Sequence, residues 1–584
     1  MEQPGTSAGQ QLLIDAVRHH DLDASVLTDP LEARFRTVAR WWSLAGVPVF
    51  GVVAIRSGVP GNYVPWQSIA SVIALAIAVG GLALAWRWEA AGGAIALVAG
   101  VALGALAAVE YHPLLALGAA VLFVVPAVLY LLAWHSTQTL RSIVALTLAT
   151  FVLMATGGAV AWGFYDSQFG PTHPASSVPV PPASPVAWIW SGGVTHDSAV
   201  VVASLPDAGD AAPLLALHAD GRPAGEVPGI AAGSEGVFRF DLSGLDAVTT
   251  HTYAVVIDGT ADDVHTGSFR TFPDGPASFT VAVGSCSRIG SNGAVYDAIR
   301  NEDPDLYLVT GDFYYGEIIA DDVAEYAAAF DTTLTQPGQA ALLAAAPVAY
   351  VWDDHDYGPN NAAADSPSRQ AALTAYRTFT PHYPLALPGD GAPIAQAFTI
   401  GRARFVLTDL RSARDNEAPG GPTMLGPDQL QWLLDEFTAA AGGDSLVIWV
   451  STVPWIAAAE PGADHWGGYA AERQVIAEHV ADLDLNLLML AGDAHMVAID
   501  DGTNSAYAPG EPGFVVMHAA ALDRPGSSKG GPFSEGMYPA GGQYAVVTIE
   551  DDGGDEIAVT LQGRTWDSTD VVSLQTAYDV EPVR

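Results

Sequence analysis

The chain has 584 residues, half of them hydrophobic and 15% charged, with a net charge of −41 and a single lysine, Lys529. That balance excludes a nucleic-acid binder working by phosphate neutralisation, and the length points to several domains, or to a soluble part joined to a membrane part. The one cysteine, Cys286, excludes an intramolecular disulfide.

Residues 1–40 are polar, mixed in charge and without a cleavable signal pattern, and read as a cytoplasmic N-terminal segment. Apolar runs at 67–86, 90–109, 113–134 and 143–165 carry no formal charge, and each is long enough for the ~30 Å hydrocarbon slab. With a shorter run at 41–55 they predict a membrane region over 41–165 with about five transmembrane helices. Arg34, Arg36 and Arg40 precede the first run, and Arg87 and Arg141 lie in later connections on the same side. Basic flanks resist translocation, so the N-terminus is expected in the cytoplasm and everything after Tyr165 outside it, in a multi-pass protein integral to the cell membrane.

Six prolines between Pro171 and Pro185 make 166–186 an extended Pro/Ser-rich linker. Residues 187–274 alternate as short strands (AWIW, SAVVVASL, APLLALHA, VFRFDL, HTYAVVID, HTGSFRTF) between Gly, Asp and Pro turns, the pattern of a small immunoglobulin- or fibronectin-like β-sandwich. From 275 to 584 the rhythm changes. FTVAV, LYLVT, VAYVW, RFVLTDL, LVIWV and NLLML read as buried strands, and GPDQLQWLLDEFTAA and ERQVIAEHVADL as helices, which predicts an α/β sheet covered on both faces.

Open α/β sheets place their sites past the carboxyl ends of the strands. Those ends read GSCSR (284–288), GDFYY (311–315), WDDHDYGPNN (352–361), TDLRSAR (408–414) and AGDAH (491–495). One aspartate after a strand is an ordinary cap or turn residue. Five such tips would bring Cys286, Asp312, Tyr315, Asp353, Asp354, His355, Asn360, Asp493 and His495 to one edge of one sheet. Carboxylates so close raise each other's pKa, and a polyvalent cation keeps them ionised. Thiolate, phenolate, carboxylate and imidazole suit a Lewis-acidic metal, Fe(III) best for the tyrosine, whereas carboxylate and amide donors suit Ca, Mg or Mn.

The tips GSC, GDxxY, WDDHD followed by NN, D-x-R and GDxH, in that order, together with HWGGYAAERQVI at 465–476, resemble the alkaline phosphatase D (PhoD-like) family of calcineurin-like and purple-acid-phosphatase-like metallophosphoesterases. The resemblance covers roughly 277–565 and implies a four-layer αββα catalytic domain after the sandwich and the membrane region. It also implies that Cys286, Asp312, Tyr315 and His495 hold an iron-like ion. Asp312 would bridge to a second site completed by Asp354 and Asp493, with Asp353 and Asn360 as further participants, for Ca or another divalent such as Zn, Mn or Mg. His355 would stand near the leaving group, and Arg288 and Arg411 would contact substrate oxyanions. The packaging departs from the family, since no twin-arginine signal is visible and a membrane part is added.

The expected activity is hydrolysis of phosphate esters by a metal-activated water. Two other readings fit the same residues: a phosphodiesterase or phospholipase with the same centre, and a membrane sensor or transporter with a metal-binding exterior domain.

Overall fold

The computed structural model describes residues 33–45, 65–110, 113–135, 175–207, 212–233, 236–441, 445–524 and 526–583. The chain divides into two compact units between residues 163 and 164.

In the first unit residues 33–45 are helical, and helices Pro65–Ala85, Glu89–Glu110 and Pro113–His135 follow. They bury Ala78, Leu82, Ala96, Leu103, Phe123 and Tyr130 in a common core. Among the described residues one helix, over Glu89–Leu106, is long and apolar enough to cross a membrane, and Ile73–Ala85 and Ala120–His135 are shorter apolar stretches. The described residues therefore do not support five spans. The run 143–165 and most of 41–55 lie outside the described residues.

The second unit opens with β1 (Trp188–Gly192), β2 (Ser198–Ser204), β3 (Leu214–Ala219), β4 (Arg222–Pro228), β5 (Ile230–Ala231), β6 (Val237–Ser243), β7 (Thr250–Ile257) and β8 (Thr260–Arg270). It continues with β9 (Phe279–Gly284), β10 (Leu306–Thr310), β11 (Val348–Val351), β12 (Gln396–Ile400), β13 (Ala403–Leu407), β14 (Leu446–Ser451) and β15 (Leu487–Ala491). The last strands are β16 (Val497–Asp500), β17 (Val515–His518), β18 (Gly536–Tyr538), β19 (Gln543–Glu550), β20 (Glu556–Thr565) and β21 (Asp570–Asp579).

The strands expected as a small sandwich do form two sheets, but one of these sheets does not stop at residue 274. β3, β4, β7 and β8 make a separate antiparallel sheet, while β1, β2, β5 and β6 continue the sheet that holds β9, β10 and β11. The join is a parallel pairing of β1 with β11 through Gly192 and Val348. Local alternation in the sequence predicts each strand but carries nothing about so distant a partner.

Two large sheets then stack. β9, β10 and β11 run parallel in one, and β13, β14, β15 and β17 run parallel in the other. Period-two alternation explains the layers: Ile448 and Val450 of β14 and Leu488 and Leu490 of β15 enter the core shared with Val281, Leu308 and Ala349. Their neighbours Val447, Trp449 and Met489 face the opposite way, against Leu433 and Phe437 of helix Gly426–Ala440 and Ile476 and Val480 of helix Ala470–Leu483. On the other side, helices Ala294–Asn301, Val323–Leu334, Pro337–Ala345 and Arg369–Phe379 contribute Ile299, Phe330, Leu342 and Leu373 to the first core. The result is an αββα stack with both sets of parallel strands buried on two faces.

Candidate metal centre

The strand ends meet where the two sheets abut, so the site is built from both sheets rather than from one edge of one. Just past the ends of β9, β10 and β11 stand Cys286, Asp312 and Asp353, and just past those of β14 and β15 stand Thr452 and Asp493. Contact between the two sets is close. A Cβ at Gly492 would lie 2.1 Å from the carbonyl oxygen of Thr310, so only glycine allows the β15 tip to pass the β10 tip. Sharp turns follow: Cys286, Asp312, Asp493 and His495 all have left-handed backbones, with φ of 59°, 53°, 58° and 50°. Such conformations cost L-residues energy and cluster at functional sites.

Asp312, wholly buried, is the common member of three overlapping groups whose ligand atoms lie within 4.8 Å of one another: Cys286–Asp312–His495, Asp312–Asp354–His355 and Asp312–Asp353–Asp493. The Cys286 Sγ lies 3.5 Å from the Asp312 Oδ2. The Tyr315 hydroxyl lies 2.7 Å from the His495 Nε2. Four of the expected residues, Cys286, Asp312, Tyr315 and His495, are thus brought together from two sheets.

Burial, reinforced by Asp312 and Asp493, pushes the Cys286 thiol well up. Asp312 is raised well above the usual carboxylate range, chiefly by burial. Burial also raises Asp493, to about 7, against the opposing pull of Lys529. Burial would raise Asp354 too, but Arg411 and His355 outweigh it and hold that carboxyl low. A buried thiol, a half-buried phenol, a buried imidazole and a destabilised carboxylate form a donor set that a cation would stabilise, and that chemistry fits a Lewis-acidic metal.

His355 is buried beside the centre, with its Nδ1 paired to Glu317 and its ring stacked on Tyr315 at 3.9 Å between centroids. Burial alone would lower it, yet Asp354, Asp312 and Glu317 raise it to about 10. Asn360 joins through its backbone N–H, which donates to the Glu317 Oε2 at 3.0 Å. The Asn361 N–H donates to the Asp354 Oδ2 at 2.5 Å.

Two expected residues have further partners. Asp353 stands in the Asp312–Asp353–Asp493 group, and its carboxylate also accepts from Arg411 Nε at 2.6 Å, Arg411 Nη2 at 2.8 Å and Thr452 Oγ1 at 2.7 Å. Arg411, expected at the substrate, is fully buried, and its guanidinium also donates to Asp464 at 2.9 and 3.2 Å. It organises carboxylates from beneath. Arg288 stays at the rim, about half exposed, with its N–H donating to the Asp523 Oδ1 at 2.7 Å.

Several participants escape a reading of strand tips. Glu317 follows Tyr315 by two residues and holds both His355 and the Asn360 backbone. Asp464 and Arg414 pair beneath Arg411. Arg524 lies over the Tyr315 ring at 4.0 Å, and Lys529 donates to Asp493 at 2.7 and 2.9 Å. Both come from the long segment after β17, and the only available signal was that Lys529 is the sole lysine.

Residues 281–530 match the family model described as PhoD-like phosphatase. The solved structure of PhoD has a similar fold: TM-score 0.53 and 19% identity, over 68% of this chain and 90% of that one. No curated protein sequence matches the chain.

Proposed function

We propose that this chain, a phosphoester hydrolase, cleaves phosphate monoesters at an ion held by Cys286, Asp312, Tyr315 and His495, with Asp312 reaching toward a second cationic position beside Asp354 and Asp493. The observation that carries the reading is the place of Asp312 in all three ligand groups, buried and raised by burial. The phenol and thiol favour Fe(III) at the first position, and the carboxylates favour a hard cation such as Ca at the second. A metal ion there supplies Lewis acidity toward the phosphoryl oxygen and lowers the pKa of water.

The chain's own groups do the rest. His355, held by Glu317 through Nδ1, offers a proton from Nε2 to the departing alkoxide. Arg524 over Tyr315 and Arg288 at the rim are the cations near enough to the mouth to meet phosphoryl oxygens. Arg411 keeps Asp353 and Asp464 in register. Phosphate release from a panel of mono- and diesters, read beside elemental analysis of the same preparation, tests the reading. Monoester hydrolysis that persists in metal-stripped protein overturns it.

The same proposal extends to place. The apolar helices of the first unit anchor the chain in a membrane with the hydrolase outside the cytoplasm. Arg36 pairs with Glu89, and Arg40 lies over Trp86 at 5.6 Å. These contacts support a common side for the N-terminal basic residues and the connection bearing Arg87. Release of the full chain from membranes by alkaline carbonate would refute anchoring.

A further inference from the structure

We infer that the second cation of this centre is the ammonium of Lys529, so that the enzyme binds one metal ion and carries a tethered charge where a two-metal hydrolase holds its other ion. The inference rests on the metal-dependent reading above, keeps its first metal position, and puts Lys529 in place of the hard cation at the second.

Five buried carboxylates converge: Asp312, Asp353, Asp354, Asp464 and Asp493. Arg411 serves Asp353 and Asp464 directly and comes within 3.7 Å of Asp354. Arg414 serves Asp464. Lys529 grips both oxygens of Asp493 and lies 3.9 Å from Asp464. Among the described residues Asp312 alone of the five is paired with no lysine or arginine. Flanked instead by the thiol, the phenol and the imidazoles of His355 and His495, Asp312 marks one metal position.

The ammonium is not draped there from the surface. Its side chain is 10% exposed, and an ion withdrawn from water is tolerated only where charges and hydrogen bonds compensate it. The backbone is pinned on both sides. Ser527 N–H donates to the His495 carbonyl at 2.9 Å and its Oγ to the Ala494 carbonyl at 3.0 Å. Gly531 N–H donates to the Ile456 carbonyl at 2.7 Å, and a Cβ at Gly530 would meet that same carbonyl at 2.1 Å. Lys529 thus stands between two fixed points, one of them on the loop that presents Asp493 and His495. A divalent ion on Asp493 would need the oxygens that Nζ occupies, at ~2.0 to 2.6 Å, and would repel the ammonium at that range.

The test is metal content per chain in the full-length protein, with Ca²⁺, Mg²⁺ and Mn²⁺ each titrated by calorimetry at millimolar concentration. Wild type is expected to hold one ion and to take up no second. Lys529→Met should double the content to two, and Lys529→Arg should keep it at one. Two ions in wild type, or a single ion in a folded Lys529→Met protein under the same titration, overturns the assignment. If Lys529→Met does not fold, the wild-type titration decides. Wild type with one ion and no hydrolysis of any ester would sink the functional reading and leave the lysine assignment standing; two ions with hydrolysis would do the reverse.

Discussion

Tyr315 and His495, 180 residues apart, meet with the phenol oxygen 2.7 Å from Nε2. One follows β10 and the other β15, so this contact links the tips of the two stacked sheets. If Fe(III) occupies the first position, the phenol becomes a phenolate ligand with a visible charge-transfer absorption. Tyr315→Phe is then expected to lose that absorption while its near-ultraviolet circular dichroism stays native. A colourless, active wild-type enzyme would mean another metal.

Asp312→Ala removes the carboxylate common to all three ligand groups. Metal content and turnover should fall together, turnover by about 10³-fold or more, because an ion of this kind contributes several kcal/mol to the transition state. Hydrolysis at the wild-type rate by the variant would refute the site.

Arg411→Met separates two roles. A substrate-binding arginine would raise KM and leave stability unchanged. A buried arginine bridging Asp353 and Asp464 leaves both carboxylates uncompensated when removed, and breaking such a pair costs about 3 to 5 kcal/mol. Urea unfolding should therefore show a large loss of stability. An unchanged midpoint with a raised KM would restore Arg411 to the substrate.

His382 lies away from the centre, with Nδ1–H donating to the Tyr383 carbonyl at 2.7 Å and its ring stacked on Tyr376 at 5.7 Å. Burial depresses it from 6.5 to about 4. Between those values the unfolded chain binds a proton that the folded chain does not, so stability falls as pH drops through that window. His382→Phe should lessen the slope of the urea-midpoint profile between pH 7 and 4, with the buried His518, also lowered to about 4, supplying part of what remains. An identical profile would show that the imidazole does not titrate on unfolding.

The tips were legible because each places polar residues directly after a β-branched run. LYLVT, LVIWV and NLLML lie in β10, β14 and β15, and Gly426–Ala440 is the helix expected from its apolar spacing. The division between two sheets was not legible, since strands buried on both faces look alike whichever sheet they join. D-x-R gives no direction for Arg411, whose burial depends on Asp464, fifty-three residues on. Glu317, Arg524 and Lys529 sit on long connections without a strand signal, and only the closed fold carries them to the centre. In the N-terminal third, apolar composition showed where helices form, and among the described residues one of them, Glu89–Leu106, meets the requirements of a span.

The pairing of β1 with β11 bears on how the chain is made. β1 leaves the ribosome long before residues 348–351 exist, and until they do its outer side has no permanent neighbour. Contacts that join distant segments form late and slowly, and an unsatisfied strand edge invites association with other chains. The nascent segment therefore depends on the later hydrolase strands for shelter. A protein started at residue 275 would inherit the complementary problem, with Val348–Val351 turned from an interior rung into a raw border.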